Sequence, residues 1–315
     1  MKHPIAIFDS GLGGLTVVAE LRRQLPGEWF VYFGDTARVP YGCKSAETVK
    51  RFALQAVEFL LQFDPKIIVA ACNTASSMAL EALQEAVDIP VVGVIAPGAR
   101  AAVQAASGRC IAVIGTEATI NSRAYHRAIW QLAPEARIVA RACPLLVSMV
   151  EEGRGPTDPA VELVVQEYLE PLREHDPGVL LLGCTHYPLL RQAFGKVMGP
   201  KVMLIDSARH TAQQVAEVLA GMSQASQISN LKSQISDAPA TVRCYVSDNP
   251  ERFAVLGARF LHEPLGSVSY VPLDALMSNP GGALGVIAAI TEDSPVRDIA
   301  SVESFDNRAE LGGVG

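Results

Sequence analysis

Short apolar runs alternate with amphipathic stretches along most of the chain. Pro4 to Phe8 (P-I-A-I-F) predicts a strand, and the turn D-S-G-L-G-G follows it. Leu15 to Gln24 has helical spacing, and Phe30 to Phe33 predicts a second strand ending at Gly34 and Asp35. Glu47 to Phe63 predicts a helix with Ala53, Val57, Leu60 and Leu61 on one stripe. A strand over 67–71, a helix over 75–86 and a strand over 91–95 complete this half, with a hinge expected at Pro97 and Gly98.

The pattern then begins again. Cys110 to Ile114 predicts a strand ending at G-T-E-A-T, followed by a helix over Asn121 to Gln131. A strand over 138–141, a helix over 160–172 and a strand over 179–182 come next. Short apolar strands between amphipathic helices indicate parallel sheets covered on both faces. Each half opens with strand and turn, and later offers a strand followed at once by Cys and Thr. These are A-A-C-N-T around Cys72 and L-L-G-C-T-H around Cys184. The expected fold is α/β: two similar domains with mainly parallel sheets, related by a pseudo-twofold, with the active site in the cleft between them. A strand over 202–205, a helix over 211–219 and a strand and helix within 245–261 follow. Residues 223–241 are Ser/Gln-rich and read as a flexible insertion, and the chain beyond about 277 reads as a C-terminal extension.

Composition narrows the classes of function. A chain of 315 residues has room for two ordinary domains, and 49% hydrophobic with 19% charged residues builds packed cores. A net charge of -7 argues against broad nucleic-acid binding, which needs a basic face, but not against holding one small anion. No apolar run approaches the ~20 residues of a membrane span, and a cytosolic protein is expected. In that compartment the six scattered cysteines are free thiols, and Cys43, Cys110, Cys143 and Cys244 read as small hydrophobes.

Cys72 and Cys184 differ in position. Each follows an apolar strand directly, at the carboxyl edge of a sheet where ligands bind, and each precedes a polar segment whose helical field would favour a thiolate. Two thiols facing each other across a cleft suit inversion of a stereocentre. One takes a proton from one face and the other returns a proton to the opposite face. Asp9 and His186 would assist, one beside each thiol. A Cys184–His186 hydrolase pair is the competing chemistry, and leaves Cys72 unexplained. A metal held by Cys72, Cys184 and His186 lacks the usual ligand spacing, so no metal is expected. A cleft that binds an amino acid without turnover is a further alternative.

Other loops offer donors. D-S-G-L-G-G-L-T matches neither a dinucleotide nor a Walker spacing, and reads as a glycine turn for close packing. Asp9 at its mouth faces the ligand edge or caps the next helix. In G-D-T-A-R-V-P-Y-G, the Tyr41 hydroxyl and the Gly42 N–H are candidate donors to a bound carboxylate, unless the loop is a plain connector.

These stretches together resemble the cofactor-independent aspartate/glutamate racemase family, and within it the branch that interconverts L- and D-glutamate, with a racemase of aspartate or another amino acid as the nearest alternative. The matching segments are I-F-D-S-G-L-G-G-L-T, F-G-D-T-A-R-V-P-Y-G, A-C-N-T-A, V-G-V-I-A-P-G-A, L-L-G-C-T-H-Y-P-L-L and I-D-S-A. The resemblance implies that Cys72 and Cys184 are the two acid/base residues, one for each enantiomer, and that no pyridoxal phosphate or other cofactor is used. Asp9, Ser10, Tyr41, Gly42, Asn73, Thr74, Thr185 and His186 match the family's substrate-contacting positions. A glutamate from V-E-E-G assists; Glu151 aligns best, with Glu152 as the second candidate. The resemblance further implies a first domain of 1–96 plus about 207–273, a second of 97–206, and supply of D-glutamate for peptidoglycan. The implied partner is the small substrate, with a homodimer as an open possibility.

Overall fold

A computed structural model of the chain describes residues 3–226 and 242–277. The first stretch of elements is β1 (Ile5–Asp9), α1 (Leu15–Gln24), β2 (Phe30–Gly34), α2 (Ala46–Leu61), β3 (Ile67–Ala70), α3 (Asn73–Met78), α4 (Leu80–Ala86) and β4 (Val91–Gly93). Next come α5 (Ile95–Ala106), β5 (Cys110–Gly115), α6 (Glu117–Asn121), α7 (Ala124–Leu132), β6 (Ile138–Ala142), α8 (Leu145–Glu151), α9 (Pro159–Arg173), β7 (Pro177–Gly183), α10 (Arg191–Met198) and β8 (Met203–Asp206). The last are α11 (Ala208–Ser226), β9 (Val242–Val246), α12 (Pro250–Leu261), β10 (Val268–Tyr270) and α13 (Leu273–Met277).

β1, β2, β3, β5 and β7 are buried along their whole length, which is why their sequences run apolar without alternation. They form two sheets whose described pairings are all parallel. One has the order β10-β9-β2-β1-β3-β4 and the other β6-β5-β7-β8. The run β2-β1-β3-β4 repeats as β6-β5-β7-β8, so β3 and β7 occupy equivalent places. Register aligns the strand ends. Asp9 pairs with Gly34, and Gly115 with Gly183. One apolar cluster spans both sheets, from Ile7, Leu15 and Phe253 to Leu180, Leu182 and Phe194.

Several boundaries differ from the sequence reading. Pro97 and Gly98 are buried in α5 rather than forming a hinge; a proline in a first helical turn removes an N–H with no intrahelical partner. The helix expected over 75–86 breaks into α3 and α4 at Ala79. The one expected over 121–131 breaks at Arg123, whose φ of 53° is left-handed. Residues 223–226, assigned to a flexible insertion, continue α11. The rest of that insertion and the extension after 277 lie outside the described residues. Short α8, α10, β10 and α13 were not anticipated.

Candidate active site

Cys72 caps α3 immediately after β3, and its Sγ–H donates to Ser10 Oγ over 3.6 Å. Burial pushes this thiol up to about 12, and the nearby Asp9 adds to the shift. The Ala75 N–H and Ser10 pull the other way without prevailing. The helical field expected to favour a thiolate is thus outweighed here, and Cys72 rests protonated.

Cys184 follows β7 and is equally hidden, at 7% exposure. A 3-10 turn, Tyr187–Leu190, continues the chain rather than the α-helix expected. His186 Nδ1 lies 3.8 Å from Cys184 Sγ, and His186 Nε2 lies 3.0 Å from Glu151 Oε1. Burial opposes a charged ring, but the bonds to Cys184 and Glu151 and their charges win, raising His186 to about 10. His186 is therefore held in its charged form beside Glu151. Phe260 packs edge-on against the ring at 5.5 Å. Of the two glutamates in V-E-E-G, Glu151 reaches His186, while Glu152 Oε1 accepts from Arg252 at 3.2 Å.

Asp9 joins the two halves of the site. Its carboxylate accepts the Gly11 N–H at 2.9 Å and the Thr185 hydroxyl at 3.4 Å. Complete burial raises its carboxyl above the usual range, partly offset by His186 and by the Gly11 and Gly14 N–H groups. Asp9 does not cap α1, whose N-cap is Gly14. Gly13 explains why the turn is glycine-rich: a Cβ there would fall 2.1 Å from Thr185 Oγ1 and 2.6 Å from His186 Nδ1.

The Tyr41 hydroxyl is already engaged, donating to Asp35, which also binds Arg38 and Ser247. This leaves the backbone of the Tyr41–Gly42 turn facing the second sheet. A Cβ on Gly42 would come 2.6 Å from Thr116 Cβ. The Thr74 hydroxyl lies 3.0 Å from Thr116 Oγ1 and 3.2 Å from Thr119 Oγ1. Asn73 Nδ2 donates to Tyr125 Oη at 2.7 Å. Thus Asp9, Ser10, Cys72, Asn73, Thr74 and Gly42 from one sheet meet Cys184, Thr185, His186 and Glu151 from the other. A cleft with about 150 Å³ of room, bordered by Gly11, Val39, Glu151 and Arg252, opens beside them. Among the six cysteines only Cys43 is exposed. Among the described residues, no cluster of three His, Cys, Asp or Glu side chains is placed to hold a metal, and no helix is long and apolar enough to cross a membrane.

The family model described as Asp/Glu/Hydantoin racemase matches residues 14–215. The chain belongs to that family. Among its relatives, glutamate racemase of Geobacter metallireducens is 51% identical over 86% of this chain and 97% of its own. A glutamate racemase isoform from Bacillus anthracis superposes with a TM-score of 0.79 at 40% identity, covering 86% of this chain and 98% of that one. Glutamate racemase from Francisella tularensis, solved in complex with D-glutamate, gives a TM-score of 0.77 at 38% identity over 87% and 98% of the chains.

Within this racemase-family site, sequence reasoning missed Thr116, Thr119, Tyr125, Phe260 and Arg252. Thr116 had a readable signal, since G-T-E-A-T ends β5 just as D-S-G ends β1. Tyr125, Phe260 and Arg252 sit on helices with no local mark of their position.

Proposed function

We propose that this protein is a glutamate racemase that inverts Cα through Cys72 and Cys184 without a cofactor. The observation that carries the reading is the pair of buried thiols at the equivalent ends of β3 and β7, each with its own polar partner. The relatives' names, and the D-glutamate held by the Francisella protein, support glutamate as the substrate.

The α-proton of an amino acid is very weakly acidic, so the site must stabilise the carbanion as it forms. Buried donors, namely the N–H groups of the strand-end turns and the Thr74 and Thr185 hydroxyls, supply that field. With its proton held on sulfur, Cys72 is poised to deliver a proton to one face of Cα, while Cys184, on the other side of the site, takes Hα. The opposite enantiomer uses the exchanged protonation states. The six-stranded sheet takes β1–β4 with β9 and β10, which supports residues 1–96 with about 207–273 as one domain and 97–206 as the other. Cytosolic supply of D-glutamate for peptidoglycan, by a homodimer, completes the reading.

The test is L-glutamate with the purified, cofactor-free protein in deuterated water. Circular dichroism should decay to zero as deuterium enters Cα, and the same should hold from D-glutamate. No decay from either enantiomer would sink the reading. The Cys184–His186–Glu151 chain also favours a second one, an amide hydrolase with Cys184 as nucleophile. It requires Cys72→Ser to retain full activity and ammonia to be released.

A further inference from the structure

Tyr125, on α7, is buried and touches the neighbours of both thiols. Its Oη accepts from Asn73 Nδ2 at 2.7 Å, and Asn73 follows Cys72 directly. Its ring lies so close to Gly183, which precedes Cys184, that a Cβ there would fall 2.9 Å from Tyr125 Cε2. The same phenol lies beside Ser207, where the chain leaves the second sheet. Gly98 on α5, the outward crossing, makes room: a Cβ there would stand within 3.4 Å of both. Both passages of the chain between the sheets therefore converge on one phenol.

Asn73 supplies the second observation. It is 2% exposed, and its Oδ1 has no hydrogen-bond partner. Buried carbonyl oxygens are rarely left open, and one beside a thiol is a place for a ligand's N–H. We propose that Tyr125 is a positioning residue: it anchors the Asn73 amide so that Oδ1 accepts from the substrate ammonium, and it spaces the two thiol-bearing strand ends. This inference rests on the racemase reading of Asn73 and Cys72 given above. The phenol is rigid and closely packed, so it fixes the amide about its terminal torsion, which is otherwise soft.

Tyr125→Phe keeps the ring and removes only the anchor. KM for L- and D-glutamate is expected to rise about tenfold, the scale of one hydrogen bond, with kcat changed by less than about twofold. In an Asn73→Ala background the same change should add less than about twofold to KM, because partners in one network are not additive. A purely structural role would lower the melting temperature, leave KM alone and persist in that background. Wild-type KM in Y125F, or effects that multiply with N73A, would overturn the proposal. If Y125F is not recovered folded, Ser207→Ala repeats the cycle. That variant is expected to raise KM about threefold, and only while Asn73 is present; no rise, or one that survives N73A, overturns it. An inert N73A removes this proposal with the ligand role of Asn73, while the two-thiol reading stands or falls on the cysteine variants.

Discussion

At the scale of single residues, the thiols carry unequal burdens. Cys72 is a buried thiol pushed up to about 12, whereas Cys184 faces an imidazole raised to about 10. Replacing either by Ser is expected to lower kcat/KM for racemisation by at least about 10³, within the range of acid/base catalysis, measured by polarimetric decay. Enantiomers are equal in free energy, so kcat/KM must fall equally from L- and D-glutamate. Directional asymmetry within one variant therefore shows in kcat and KM taken separately and in the isotope effect at Cα. His186 makes a second expectation. Its range in the fold lies above the ordinary 6.5, so its contribution to stability is complete below about pH 6.5 and is lost as pH rises towards about 10. The melting temperature should therefore fall between about pH 7 and 9, and His186→Asn should flatten that slope. Glu151→Gln, which removes one of the partners raising His186, should move the slope to lower pH.

At the scale of elements, strand ends were legible and short helices were not. The apolar runs I-I-V-A and V-L-L-L could only be strands buried on both faces, so Cys72 and Cys184 had to emerge at a ligand edge. By contrast, α8 is seven residues of nearly continuous apolar character, too short for a helical period to show. Its last residue, Glu151, was found by its motif rather than by its element. β10 is three residues long, below the length at which alternation means anything. The Tyr41 hydroxyl was read as a free donor because nothing in the sequence reveals that Asp35 holds it. The D-S-G-L-G-G turn offers an experiment at this scale. Gly13→Ala is expected to destabilise the protein by about 1–3 kcal/mol, seen in denaturant unfolding. It should cost activity beyond that loss, since the added methyl meets Thr185 and His186.

At the scale of the whole molecule, the repeated strand order places both halves of the chemistry at one seam. The apolar cluster beneath that seam runs through both sheets, so damage on one side is felt on the other. Leu180→Ala, deep in β7 at 0% exposure and part of that cluster, is expected to lower stability by about 2–5 kcal/mol in chemical denaturation. The pseudo-repeat was readable from the chain, but the meeting of the halves at Tyr125 was not, because a tyrosine on an amphipathic helix looks like any core residue. The lone exposed thiol, Cys43, stands one residue past Gly42, where the first sheet's loop touches Thr116 of the second. A maleimide dye would therefore attach at that seam and leave the five hidden sulfurs untouched. The protein carries its own attachment point for a fluorescent gauge, one that reads the packing of the first sheet's loop against the second.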